Sequence, residues 1–401
     1  MDSDLKRLMD LARELGLEAL SEGEALIRSP EEYDAARKRQ DAEAAKERAR
    51  AETLWRRLQA EDREAWRNLV LNDPEFQSFA LCEKLCHESA ELAEDDAGRA
   101  FELASLALEL APRVAGDKKL RSGMQEYAWM HFGNALRARG DLKAAEEAFR
   151  RAEELLVDST RGSLPSVVLR DRLAGLEAAL LRDQGNLPEA LRRITDALIS
   201  AEYYGASRPA FLLERGRLHR RLGRAKEALE DLSRADRDAQ NSDLRVFVRI
   251  KLELGNVLCD LGRHGEAKKL LGSLREAAEG FPLERTRLLC LQGRVAAGLD
   301  RLKEAETALR KARADLHERA VTDFARLSLE LAALYASQGE TAKLKSLAER
   351  TLQLPGLSSQ RPEAAATLKL FFRLAAQDKL SPERAFRFIK DFSLIPAGRP
   401  Q

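Results

Sequence analysis

The side chains able to bind a metal or act as nucleophiles are few and scattered. Cys82-Glu-Lys-Leu-Cys86-His87 is the one place where cysteine and histidine cluster. Cys82 and Cys86 are four positions apart, about one turn of a helix, so their thiolates could share a metal. A structural zinc site takes four ligands, and no second pair accompanies these two. We therefore read them as small apolar residues of a buried helix face. Cys259 and Cys290 are read the same way, as packing residues in a reducing compartment rather than a redox pair. The histidines His87, His131, His219, His264 and His317 share no Ser or Asp constellation that would point to general acid–base work. The sequence has no phosphate loop, zinc-finger spacing or nucleophile elbow. These residues predict a protein that is not an enzyme and needs neither cofactor nor metal.

Composition points to the elements instead. The chain has 401 residues with 68 Lys and Arg against 67 Asp and Glu, a net charge of +1 that excludes binding of nucleic acid through global charge. By length alone, two or three domains of about 150 residues are the starting expectation. Aromatics are 5%, Gly 23 and Pro 12, while charged residues reach 34%; this is a helix-forming composition. No apolar run is long enough to span a membrane. The amino terminus lacks the apolar core of a signal peptide, so a cytoplasmic location is expected. The bias to Arg and Ala over Lys suggests a GC-rich bacterial genome.

A repeated unit organises those helices. Trp129, Gly133, Leu136, Ala145, Phe149 and Ala152 recur in register as Gly216, Ala228, Leu232 and Ala235, then as Gly255, Ala267 and Leu271, then as Gly293, Ala305, Leu309 and Ala312. Weaker copies begin near Leu81, Asp171 and Ala325. The pattern resembles the tetratricopeptide repeat, a helix–turn–helix unit of about 34 residues. Small residues such as Gly133 and Ala145 stand where two helices approach closely, and Trp129, Leu136 and Phe149 fill the gap between repeats. The predicted turns fall at Asp95, Gly140, Gly185, Gly223, Gly262, Asp300 and Gly339, with spacings of 45, 45, 38, 39, 38 and 39. The repeats are thus longer than the plain motif, similar to those of bacterial regulatory proteins of this family. The two widest spacings are read as added loops, one over Ala111–Asp117 and one over Asp158–Pro165. The resemblance implies an all-α, right-handed superhelix (an α-solenoid) of about seven repeats.

Flanking segments complete the expected organisation. Residues 1–80 form a helical extension, 81–358 the solenoid, 359–395 two capping helices rich in Phe371, Phe372, Phe386, Phe388 and Phe392, and 396–401 a loose tail. Ser29 and Pro30 start a charged helix expected to run to about Asn68. Leu54, Trp55, Leu58, Ala65, Trp66 and Leu69 line one side of its second half. That side packs on the first repeats, or else provides a surface for self-association.

In this family the first helix of each repeat lines the concave groove through its second, fifth, ninth, twelfth and thirteenth positions. Carried onto this sequence, those positions hold Arg137, Arg172, Arg182, Arg217, Arg220, Arg221, Arg249, Arg287, Arg294 and Arg326, against only Asp183 and Asp260 as acids. Asn134 and Asn256 occupy the ninth position, where the family often uses Asn to hold a peptide backbone by donating and accepting at once. Arginine presents a planar fork suited to carboxylates. The chaperone-tail clamp of the family wants a Lys three residues before Gly-Asn; here Met130 stands three before Gly133 and Lys251 four before Gly255. The expected function is a scaffold or adaptor that takes an acidic segment of a partner protein into an Arg-rich groove. The alternative is a ligand- or peptide-responsive regulator of a separate effector protein. Nucleic acid is disfavoured because Tyr127 is the only aromatic among the groove positions.

Overall fold

In the computed structural model, the described residues are 46, 49–116, 118–159, 164–204, 208–239, 243–315, 321–353, 362–377, 379 and 388, and all their regular structure is helical. They fall into two compact units: the described residues up to Lys84 with Arg113–Ala115, and the remainder.

In the first unit the expected single charged helix is interrupted. Helix over 49–60 ends at Glu61 and Asp62, and α1 (Arg63–Asn72) starts anew. The Trp66 indole Nε1 donates to the Glu61 carbonyl at 3.1 Å, which satisfies a carbonyl left over at the break. The Trp55 and Trp66 rings meet edge to face with centroids 5.5 Å apart. Leu54, Trp55, Leu58 and Trp66 are all buried within the single chain. The start of that helix at Ser29 and Pro30 lies outside the described residues.

The second unit is a stack of helical hairpins. They pair α2 (Phe79–Leu92, from Leu85 onward in this unit) with α3 (Ala97–Leu110), α4 (Lys118–Ala138) with α5 (Leu142–Ser159), and α6 (Leu164–Asp183) with α7 (Leu187–Tyr204). They continue with α8 (Arg208–Arg221) and α9 (Ala225–Asp238), α10 (Leu244–Asp260) and α11 (His264–Ala277), α12 (Pro282–Gly298) and α13 (Leu302–Asp315), and α14 (Val321–Ser337) and α15 (Thr341–Leu352). A final helix, α16 (Pro362–Ala376), packs on α14 and α15 through Phe371 and Phe372, and Phe388 closes on Phe371 with centroids 5.6 Å apart. Phe386, Phe392 and the 396–401 tail lie outside the described residues. The expected loop over Ala111–Asp117 is seen in its described residues, a short 3-10 turn over Ala111–Arg113 followed by bends to Gly116. Of the second expected loop, Asp158–Ser159 and Leu164–Pro165 are helical and 160–163 lie outside the described residues. Part of the extra chain lengthens first helices, α4 having 21 residues and α6 20, against 14 for α8.

The repeat residues do what their sizes predict. A Cβ on Gly133 would stand 2.6 Å from the Phe149 ring, one on Gly216 2.8 Å from Leu232, and one on Gly293 2.6 Å from Leu309. Each is the crossing point of the two helices of a hairpin. Ala145, Ala190, Ala228, Ala267 and Ala305 on the second helices are fully buried. Between the two helices the chain turns through a left-handed residue at Gly140, Gly185, Gly223, Gly262, Asp300 and Gly339, with φ between 59° and 85°. The amide two residues past the helix end bonds back to a carbonyl five residues earlier, as Asp141 N does to Leu136 O at 3.0 Å and Arg224 N to His219 O at 2.8 Å. That is the Schellman ending, which a side chain at the left-handed position strains. Successive first helices pack on one another, α4 on α6, α8 on α10, α10 on α12. The second helices of neighbouring repeats approach less closely, so the first helices form one continuous face of the stack, its inner face.

Candidate functional site

The inner face carries the predicted arginines, and acidic groups of neighbouring repeats meet most of them. Arg137 on α4 reaches Asp183 at the end of α6, Nη1 to Oδ2 2.5 Å. Arg182 on α6 bonds Glu214 of α8 and its own neighbour Asp183. Arg220 on α8 donates Nε to Asp260 at 2.7 Å and approaches Glu253 at 3.4 Å. Arg217 stands 3.5 Å from Glu253 and 3.8 Å from Glu214. Arg294 on α12 reaches back to α10, with 2.6 Å to Asp260 and 2.6 Å to the Asn256 carbonyl oxygen. Arg249 donates to Glu284 of α12 at 2.7 Å. The inner face is therefore a charge ladder that ties successive first helices from α4 to α12.

Its electrostatics follow from burial and sign. Burial pushes the Asp183 carboxyl up, but the Arg182 and Arg137 guanidiniums outweigh it and hold it below the usual carboxylate range. At Asp260 burial is overcome in the same way by Arg220 and Arg294, and at Glu284 by the hydrogen bonds from Arg245 and Arg249. Arg221 behaves differently. It donates to the Arg182 carbonyl at 3.3 Å, and burial followed by the Arg182 charge lowers its basicity. Burial pushes the His131 imidazole down to about 3, with the charges of Arg172 and His87 adding to the shift.

Five of the predicted residues converge on one cleft. Arg217 of α8, Arg249 and Asn256 of α10, and Arg287 and Arg294 of α12 line a small hollow open to solvent, shared with Leu252, Glu253, Cys290 and Glu330. Arg137, Arg182, Arg220 and Arg221 belong to the same face without lining that hollow. Asn134 is buried beneath Arg137, which donates to its Oδ1 at 2.9 Å. Arg172 is exposed and forms no ion pair among the described residues. The Arg326 side chain lies outside the described residues.

The acids were missed by a single register position. Glu214, Glu253 and Glu330 each follow a groove position by one residue at the same point of three repeats, the repeat between the last two having Leu291 there. Arg245 was missed too. It is 5% exposed at the start of α10 and bonds Glu284, which is fully buried, and Asp95. Glu94, at the turn after α2, has its Oε2 2.8 Å from Arg287 and 3.6 Å from Arg249.

The thiols take no part in a metal cluster among the described residues. All four are buried and unbridged, and the Cys290 thiol donates to the Thr286 carbonyl at 3.1 Å. No helix among the described residues is long and apolar enough to cross a membrane.

Comparison with known proteins agrees with this architecture. The tetratricopeptide-repeat family model matches residues 126–155, within α4 and α5 and the turn between them. No curated protein matches the sequence. A Rap protein crystallised in complex with competence and sporulation factor superposes with a TM-score of 0.57 at 17% identity, over 78% of this chain and 87% of that one. NprR in complex with its cognate peptide NprX gives 0.54 at 13% identity, over 76% of this chain and 86% of that one. The apo form of the quorum sensor NprR from B. thuringiensis gives 0.54 at 12% identity, over 76% and 84%. At such identities the likeness is one of fold, a stack of lengthened helical hairpins.

Proposed function

We propose that this chain, whose stacked helical hairpins resemble tetratricopeptide repeats, is a non-catalytic adaptor or regulator. It takes an extended, acidic segment of a partner protein into the cleft between α8, α10 and α12. The observation that carries this reading is the convergence of Arg217, Arg249, Arg287, Arg294 and Asn256 from three successive repeats on one hollow. A peptide crossing successive first helices meets one or two guanidiniums at each step. Planar forks match carboxylates bidentately, and charge complementarity sets both orientation and selectivity. The Asn256 Oδ1 is occupied by Arg294, which leaves its amide NH₂ to donate to a peptide carbonyl. Glu253 and Glu330 on the same hollow temper the positive charge, so a ligand carboxylate exchanges an internal partner for an external one. The Rap and NprR structures hold a bound factor and a bound peptide on a similar fold, which supports a peptide as the ligand class. Four unbridged thiols support a reducing, cytoplasmic setting.

Selection of a random-peptide phage library on the immobilised protein tests the reading. Recovered sequences are expected to carry two or more Asp or Glu, and to be lost on the Arg217→Gln/Arg294→Gln variant. Recovery of sequences without acidic residues, or their retention by the variant, would contradict it.

A further inference from the structure

The chain carries an acidic segment of its own on this face. From the end of α2 it reads Glu91-Leu92-Ala93-Glu94-Asp95-Asp96, and this segment belongs to the same compact unit as the cleft. Arg245 of α10 bonds the Glu91 carbonyl, 154 residues away in sequence, together with the Asp95 carboxylate and Glu284. The first repeat is thus tied to the fifth and sixth by two contacts of different character. The Arg245 contact is deep, with that side chain 6% exposed and Glu284 fully buried. The Glu94 contact is less buried, with its side chain 28% exposed. Glu94 uses one oxygen, Oε2, against a single Nη of Arg287 at 2.8 Å and of Arg249 at 3.6 Å. Compare Arg215 and Asp231, which meet fork to fork at 2.8 and 2.6 Å. Both of Glu94's arginines line the cleft.

We propose that Glu94 is an intramolecular stand-in for a ligand carboxylate, and that the Arg249–Arg287 pair is the subsite this carboxylate takes. This deepens the reading above and rests on it. A ligand carboxylate that engages an arginine fork with both oxygens makes the stronger, charge-assisted pair and displaces Glu94. Arg245 keeps the turn anchored meanwhile, so displacement is local and reversible. Release of Glu94 removes one of the two ties between the first repeat and α10 and α12, so occupancy of the cleft and the setting of the first repeat bias each other.

The test is fluorescence anisotropy of a labelled peptide with four consecutive glutamates, against wild type, Glu94→Gln, Arg287→Ala, the double variant and Glu147→Gln. The last removes a carboxylate from the exposed side of α5, where it pairs with Arg150 and Arg151. Removing a competitor that closes the subsite nine-tenths of the time tightens apparent affinity about tenfold. Glu94→Gln is expected to show that gain and Glu147→Gln none. Arg287→Ala is expected to weaken binding, and Glu94→Gln added to it to change affinity less than about twofold. Equal or weaker binding by Glu94→Gln overturns the proposal. If wild-type binding is then still lost in Arg217→Gln/Arg294→Gln, the cleft remains the binding site and only the role of Glu94 falls. If the peptide binds none of the proteins, both fall together. Melting curves by circular dichroism confirm that each variant is folded.

Discussion

Asp260 holds the most heavily used rung of the ladder, and its removal has a size that can be worked out. Its two oxygens accept from Arg220 Nε at 2.7 Å and Arg294 Nη2 at 2.6 Å. The three side chains are 18, 24 and 18% exposed for Asp260, Arg220 and Arg294. A fully buried ion pair broken on one side costs about 3–5 kcal/mol, whereas an exposed pair is worth about 0–1 kcal/mol. Here Arg220 retains Glu253 at 3.4 Å and Arg294 retains Asn256 at 2.6 Å. Two charge-assisted bonds at about 1.5 kcal/mol each, discounted for the remaining partners and for solvent, give a loss of about 2 kcal/mol. Glu147→Ala, which breaks pairs between side chains about half exposed, is expected to change stability far less than Asp260→Ala. Urea unfolding followed by circular dichroism reads both. The Asp260→Ala loss should persist in about 0.5 M salt, because buried pairs are screened little. Equal, small losses for the two variants would refute the view that the ladder is structural.

Three further outcomes follow from the geometry. Asp300 is the one non-glycine described residue with positive φ, 59°, so Asp300→Gly should raise stability by roughly 0.5–1 kcal/mol; a loss in thermal melting would contradict the turn assignment. Gly133→Ala gains helix propensity but drives a Cβ to 2.6 Å from the Phe149 ring. The overpacking term of about 1–3 kcal/mol wins, and a stabilised variant in the same melts would show the crossing to be loose. Because burial holds the His131 imidazole at about 3, the unfolded chain binds a proton between about pH 6.5 and pH 3 that the folded chain does not. The contribution is fully present above that window and lost as pH falls through it, so His131→Gln should flatten the slope of stability against pH there by up to about 1 kcal/mol per unit. An unchanged slope would place the ring in water.

Much of the scaffold was legible because its signals are local. Gly133, Gly216 and Gly293 mark helix crossings, and all six turn positions from Gly140 to Gly339 adopt the left-handed conformation expected of them. One local reading failed: the charged helix toward Asn68 breaks at Glu61 and Asp62, where Asp62 followed by Arg-Glu is itself a helix start. The length of α4 and α6 was not read from the sequence either, since helix beyond the expected loop at 111–117 carries part of the added chain. The arginines of the inner face were legible by register. Glu214, Glu253 and Glu330 sit one position beyond the groove positions of their repeats, with Leu291 breaking the series. The contacts of Glu94 and Asp95 with α10 and α12 have no such signature. They depend on how far the stack turns over five repeats, which no periodicity of single residues encodes.

The central claim is that the cleft between α8, α10 and α12 selects carboxylates. Its most direct test is the affinity of two labelled peptides of equal length, one with four glutamates and one with four glutamines in their place, at about 50 and about 200 mM salt. The account predicts binding of the glutamate peptide only, weakening as salt rises. Equal binding of the two peptides, or binding indifferent to salt, would contradict it.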